Sequence, residues 1–421
     1  LAAMAVALDG EGQALGRPLP VPIENGRAVF AAERPHRLRL IYAVQRNFNY
    51  FSREACLRLL DRVHGEFERR LGRWFGSVIA GSFQDELPNM PTWGPDFAEQ
   101  FRKRKGYDLL PLASYLWEGD DAEAQRVRAD YHEVRAELAE EAFFVPFFEW
   151  HERHGLLCGF DQQGPAREGD GPASVRCYAD YLRLHRWYGA PGSDHHGEAK
   201  IHSSLAHLNG RPRVWVEAFH SSGWGGTLEE TYDWLIPWLR AGGNLYNPHA
   251  AYYSTRGGWY EWAPPSTCWR QPYWRHYSRF ADCVSRLCRL LTQGSHVCDV
   301  GVLYPTATLQ AHQTLEGPLA PAKRADDCYR ALVGRMHWNS VKPGVLDLDG
   351  RDFDVLTDEA LAEADVRDGR LHIRDESYRA VLLPALAVVR ERTAEALVRF
   401  AESGGLLIAV GTVPKPLDGS G

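Results

Sequence analysis

The chain has 421 residues, 44% of them hydrophobic and 24% charged, with a formal net charge of −7. That length exceeds one compact domain, so two or more are expected. The mildly acidic balance offers no basic surface for nucleic acid, and no run approaches the roughly 18 apolar residues of a membrane span.

Residues 1–45 read as a β segment, with short apolar runs divided by turns such as Gly16-Arg17-Pro18. At Ser52 the pattern changes: this residue is an N-cap for a helix running to about Leu71. Residues 77–81 then read as a short buried strand, followed by a loop rich in Pro, Asn and Trp. A helix is expected over 96–105, its basic run Arg102-Lys103-Arg104-Lys105 forming a solvated end. A longer helix covers 121–144. In it Val127, Tyr131, Val134 and Leu138 make an apolar stripe, and Pro146 is expected to interrupt it.

Strands are then expected at 156–160, 187–190, 214–218 and 244–246, with helices at 196–207, 228–240 and 274–291. Strand–helix alternation with short connections implies a parallel sheet, and its many repeats favour a (β/α)8 TIM-like barrel over 46–297. From Cys298 a second unit begins, with strands at 300–304, 380–383 and 406–410 and helices at 325–336 and 393–401. It reads as a flavodoxin-like α/β domain over 298–421 and carries neither a P-loop nor GxGxxG. The expected fold class is therefore α/β: a β segment, a TIM-like barrel, then a flavodoxin-like domain. The eight cysteines form no CxxC pair, which points to buried free thiols. Leu1 is not an initiator Met and Gly421 follows a strand-like run, so the reading expects truncation at both ends. It also expects a soluble protein, secreted or periplasmic if a signal was lost with the N-terminus.

Aromatic residues make up 12% of the chain, flat rings that suit stacking on sugars and equally the filling of a large core. Two acids stand out among them. Asp85-Glu86 leaves the early strand just where barrel enzymes place catalytic groups, and a carboxylic acid there can protonate a leaving oxygen. The alternative is a solvated loop acid or helix cap. Glu217 ends the apolar run Val214-Trp215-Val216, where an isolated charge is costly unless it is paired or functional. The two glutamates lie 131 residues apart, so only the fold can bring them together. Asp194-His195-His196-Gly197-Glu198 is dense enough to bind a cation or hydroxyls, though it lacks HExxH spacing and Asp194 could equally cap a helix. Candidate sugar-binding groups are Asp85, Trp93, Asp161, Gln163, His220, Trp224, Asn247, His249 and Tyr252.

With these residues in view, the chain resembles glycoside hydrolase family 106, the α-L-rhamnosidase type. The resemblance is carried by residues 81–88, by Trp93-Gly94-Pro95-Asp96-Phe97 and by Gly106-Tyr107-Asp108-Leu109-Leu110-Pro111. Phe148-Glu149-Trp150, residues 200–210, Val216-Glu217-Ala218-Phe219 and residues 242–249 add to it. It implies an inverting exo-glycosidase in which Glu86 is the general acid and Glu217 the general base, with calcium near the site; Asp194 and Glu198 are the candidate metal ligands read from the residues themselves. The chain departs from the family pattern at 218–221 and at 194–198. Two other readings stay open: a non-catalytic carbohydrate-binding barrel, and a metal-dependent hydrolase built on Asp194, His195, His196 and Glu198.

Overall fold

The computed structural model describes residues 1–44, 47–162, 170–194, 199–219, 223–254, 267–337 and 340–417. The expected β segment is present. Strands β1 (Ala2–Leu8), β2 (Ala14–Val21) and β5 (His36–Ile41) form an antiparallel sheet with β1 in the middle, and β3 (Ile23–Glu24) and β4 (Arg27–Ala28) make a small hairpin. Arg37 and Arg39 of β5 reach Glu118, and Arg39 also lies over the Trp117 ring, which docks this sheet on the next part of the chain.

The Ser52 hydroxyl accepts from Ala55 N and starts α1 (Arg53–Leu60). The single helix expected here is divided, by a π turn at Asp61–Gly65, from α2 (Glu66–Leu71). The strand expected at 77–81 lies later. Ser77–Ile79 is spent on turn hydrogen bonds to Trp74 O, and the ladder runs instead through β6 (Gly81–Leu87). Helix α3 (Phe97–Lys105) ends on Gly106 at φ +77°, a left-handed cap that glycine adopts without cost. Its basic end is solvated only at Arg102 and Lys103. Arg104 pairs with Glu137 and Glu141, and Lys105 with Glu133 and Asp130, all on the next helix or the turn that follows it.

That helix, α4 (Ala122–Ala139), is capped by Asp121 and is buried on nearly every side rather than along one stripe. Pro146 does not break it. A π turn at Glu140–Phe144 widens the chain just before the proline, and α5 (Val145–Arg153) continues. The wider turn accommodates a ring that lacks an N–H and would otherwise meet the carbonyl one turn back.

Next come β7 (Leu157–Gln162), α6 (Gly171–Tyr178), α7 (Tyr181–His185), β8 (Gly192–Asp194), α8 (Ala199–Asn209), β9 (Trp215–Ala218), α9 (Leu228–Arg240), β10 (Leu245–Pro248) and α10 (Tyr277–Leu290). The strand expected at 187–190 is a turn. The Trp187 indole N–H donates to Glu140 at 2.6 Å, and only Ala190 bridges to Gly159 of β7. Helix α9 follows its sequence signal closely, because Thr227 and Glu230 close a capping box.

Strands β6 to β10 run parallel in the order β6-β7-β8-β9-β10, with the Gly159–Ala190 bridge joining β7 to the β8 side. The sheet curls strongly: Phe83 of β6 stacks on Trp215 of β9 at 4.1 Å although two strands separate them. Gly81 and Gly192 open strands where a Cβ would meet a neighbouring carbonyl at 2.4 Å, so only glycine permits the approach. Of the eight strands expected, five are found among the described residues. No described strand pairs with the outer edge of β6 or of β10.

The C-terminal part begins with β11 (Val300–Leu303), α11 (Thr306–Ala311), α12 (Ala320–Val333), β12 (Arg335–His337), β13 (Ser340–Lys342), α13 (Val345–Leu348), β14 (Phe353–Leu356) and α14 (Asp358–Ala362). It continues with the antiparallel strands β15 (Asp365–Arg367), β16 (Arg370–Ile373) and β17 (Glu376–Tyr378). Then come β18 (Ala380–Pro384), β19 (Val388–Val389), α15 (Glu391–Glu402) and β20 (Leu406–Val410). A four-stranded parallel sheet, β14-β11-β18-β20, is its centre. One apolar cluster runs without a break from Phe97, Tyr131 and Tyr178 to Val302, Tyr329 and Val355, so both parallel sheets share a core. All eight cysteines are free. Among the described residues no helix is long and apolar enough to cross a membrane.

Candidate active site

Parallel pairing decides which side chains meet. In β8, β9 and β10 the register aligns Asp194 with Glu217 and Glu217 with Asn247. In-register residues of a parallel sheet project to the same face, so these three form a polar row across the C-terminal strand ends. Val216 and Ala218, on either side of Glu217, are buried in the apolar layer beneath. The sequence signal at Glu217 is thus realised as an acid at the upper limit of a core strand. Its side chain is 14% exposed.

After β10 the chain stays at this rim because His249 N donates to Ala218 O at 3.0 Å. His249 Nε2 lies 3.8 Å from Glu217 Oε1, and the Tyr252 ring packs edge-on against the imidazole. Burial pushes the His249 pKa down, while the charge of Asp85 pushes it back up. Asp85 belongs to β6, at the far end of the strand order. Its electrostatic reach to His249, like the Phe83–Trp215 stack below it, spans the mouth of the curled sheet. Sequence reading missed that aromatic pair, although Phe83 and Trp215 each sit two residues before a candidate acid in an apolar strand.

The end of β6 is irregular. Its register against β7 shifts between Gln84 and Leu87, and Glu86 adopts φ +39°. A bulge re-aims the side chains beside it. Left-handed backbone costs a non-glycine residue about 1–3 kcal/mol, and such strain gathers at functional sites. Glu86 and Asp85 are both exposed.

The other candidates divide. Asp85, Glu217, Asn247, His249 and Tyr252 are placed at or facing the rim. Trp93 is half-buried, its ring packed on Phe97 at 4.8 Å and against the main core. Trp224 is half-buried in the turn before α9. Gln163, His195, His196, Glu198 and His220 lie outside the described residues, and Asp161 is described only as part of the backbone of β7.

A cavity of about 570 Å3 opens beside the free edge of β6, lined by residues that include Leu60, His64, Phe75, Phe83, Asp85 and Phe147. Its walls are mainly apolar, and neither Glu217 nor His249 lines it. It is a poor match for a sugar, whose hydroxyls need polar partners.

Calcium, implied by the resemblance, asks for six to eight oxygen ligands. Asp194 is buried at the end of β8, but among the described residues no group of three or more Asp, Glu, His or Cys side chains converges there.

No family model matches the chain, and no curated protein matches it in sequence. Solved structures do match it in fold. The rhamnosidase from Novosphingobium sp. PP1Y superposes with a TM-score of 0.60 at 17% identity, over 87% of this chain and 34% of that one. A GH42 β-galactosidase from G. stearothermophilus gives 0.55 at 14% identity, over 89% and 58% of the two chains. The β-galactosidase from Rahnella sp. R3 gives 0.52 at 13%, over 87% and 56%. The chain spans less than two thirds of each of these proteins. At such identities the likeness concerns the fold alone.

Proposed function

We propose that this chain carries the catalytic centre of an inverting exo-α-L-rhamnosidase, built on a (β/α)8 barrel and followed by a flavodoxin-like unit. The observation that carries the proposal is the meeting of groups from opposite ends of the strand order. Glu217 of β9 lies 3.8 Å from His249, and Phe83 of β6 packs on Trp215 of β9 at 4.1 Å, each ring two residues before a candidate acid. Glycosidic cleavage needs two carboxyl groups flanking one bond. In this reading Glu86 protonates the glycosidic oxygen. Glu217 draws a proton from water on the other face of the sugar, and the water oxygen attacks the anomeric carbon as the bond to the leaving oxygen breaks. His249 positions Glu217, Asn247 and Tyr252 take sugar hydroxyls, and Phe83 with Trp215 floors the cleft. The fold likeness to a rhamnosidase and to β-galactosidases supports the class of reaction.

A second assignment of the acid is favoured by one observation: the charge of Asp85 acts on His249. The test is turnover of a panel of nitrophenyl glycosides, including the α-L-rhamnoside and the β-galactoside, by wild type and by Glu217→Gln, Glu86→Gln and Asp85→Asn. Loss of a general acid or base is expected to cost about 10²–10⁴-fold in kcat. The deeper loss between Glu86→Gln and Asp85→Asn identifies the acid, and NMR of the first-formed sugar anomer reads inversion directly. Near-wild-type turnover in Glu217→Gln removes this acid from the chemistry and overturns the proposal.

A further inference from the structure

Four side chains from four separate elements converge at the junction of the two parallel sheets. His207 comes from α8, His296 from the segment before β11, Asp354 from β14 and Glu376 from β17. Each offers one donor atom, and the four donors lie within 4.8 Å of one another. His207 Nδ1 is 2.9 Å from Asp354 Oδ1, and His296 Nδ1 is 3.2 Å from Asp354 Oδ2. The two imidazoles stack at 4.3 Å, inclined by 15°.

We propose that His207, His296, Asp354 and Glu376 bind a divalent transition-metal ion of the zinc class, which fastens α8 to the C-terminal sheet. A buried carboxylate oxygen left without a hydrogen bond is the first reason. Glu376 is 4% exposed, and its buried Oε2 makes no hydrogen bond. Its ion contact to His296 Nδ1 is 3.5 Å long. Burying such an oxygen unsatisfied is costly, and a cation at the centre of the cluster satisfies it.

The supporting shell is the second reason. His296 turns Nδ1 toward the cluster while Nε2 meets Asp352 Oδ2 at 2.8 Å, and Asp352 is braced in turn by Lys200 Nζ at 2.6 Å. A carboxylate behind the outer nitrogen is the usual way a metal-bound imidazole is oriented. Asp354 is fully buried and receives Ser204 Oγ and Tyr378 Oη, both at 3.0 Å. Two imidazole nitrogens and two carboxylate oxygens suit a tetrahedral zinc-class ion. Calcium and magnesium prefer all-oxygen sets. Four protein ligands fill a tetrahedron and leave no open position, so the site is structural.

The competing arrangement is a metal-free ion network in which a protonated His296 alone balances the acids. The experiment separates the two and does not depend on glycosidase activity. The full protein is dialysed against a strong chelator, its metal content is measured, and it is titrated with Zn²⁺ and with Co²⁺. One equivalent of Zn²⁺ with a rise in Tm of several degrees supports the site, as does the visible absorption of tetrahedral Co²⁺. Glu376→Gln should abolish both. Should that variant fail to fold, Asp352→Asn keeps all four ligands and should weaken Zn²⁺ about 10–100-fold. A wild-type protein that takes up no stoichiometric metal, with Tm unmoved by chelator or Zn²⁺, overturns the proposal.

Discussion

Ser82 and His151 tie β6 to α5 through one imidazole. His151 Nδ1–H donates to Phe147 O at 2.8 Å, which leaves Nε2 to accept from the Ser82 hydroxyl at 2.6 Å. The ring is fully buried among His64, Phe147 and Trp150, and burial pushes its pKa from 6.5 down to about 4, with His64 and His154 adding repulsion. The neutral form is therefore the folded form. As pH falls below about 6.5 the unfolded chain takes up the proton first, and stability drops until about pH 4, by about 3 kcal/mol at most. Above pH 6.5 the full contribution is present. Urea midpoints measured across this window should fall with pH for the wild type and fall less for His151→Gln; parallel curves would show that this residue is not responsible. Ser82 and His151 stand 69 positions apart, so this pair is legible only in the folded chain.

Helix α4 shows what the element scale adds. Its apolar stripe was visible in the sequence, and Tyr131, Val134 and Val127 are indeed buried. The other faces are covered as well, because α11 and the segment around Arg390 pack on them through polar contacts that periodicity does not report. Arg128 is completely buried. Its Nε donates to Ala311 O at 2.6 Å, and its Nη1 to Tyr115 O and Gly119 O at 2.9 and 2.8 Å. Arg135, equally buried, serves the carbonyls of Pro91, Met90, Val175 and Arg176. A guanidinium is a fixed fork of donors, and one such group can serve several carbonyls at once. Arg128→Leu should then cost about 3–5 kcal/mol in chemical denaturation, since it strands three carbonyls from two distant segments. A loss below about 1 kcal/mol would mean that water replaces the side chain.

At the scale of the whole molecule, the shared apolar cluster argues against independent halves. Val302, Tyr329 and Val355 of the C-terminal part belong to the same cluster as Phe97 and Tyr178. The chain should accordingly unfold in one cooperative transition. A fragment ending at residue 297 should bind hydrophobic dyes and lose near-ultraviolet ellipticity, because it bares the α4 face that α11 covers. A fragment that retains a native-like spectrum and a sharp melt would show two autonomous units.

Local rules placed much of the architecture. Caps at Ser52, Asp121 and Thr227, the turn at Gly106, and apolar runs at β7, β9, β18 and β20 are readable because each is decided within a few residues of itself. The same logic marked Glu217, an acid ending a buried strand. It could have marked Asp354, set inside the apolar run Phe353–Leu356, where no strand was expected. Strand starts at Gly81 and Gly192 were misplaced, because pairing partners, not propensity, choose where a short ladder begins. What no window of sequence holds is proximity between distant residues. The meeting of Glu217 with His249, of Phe83 with Trp215, and of His207 with His296, Asp354 and Glu376, was decided by strand order, curl and packing alone, since a chain of neighbours carries no record of its own closure in space.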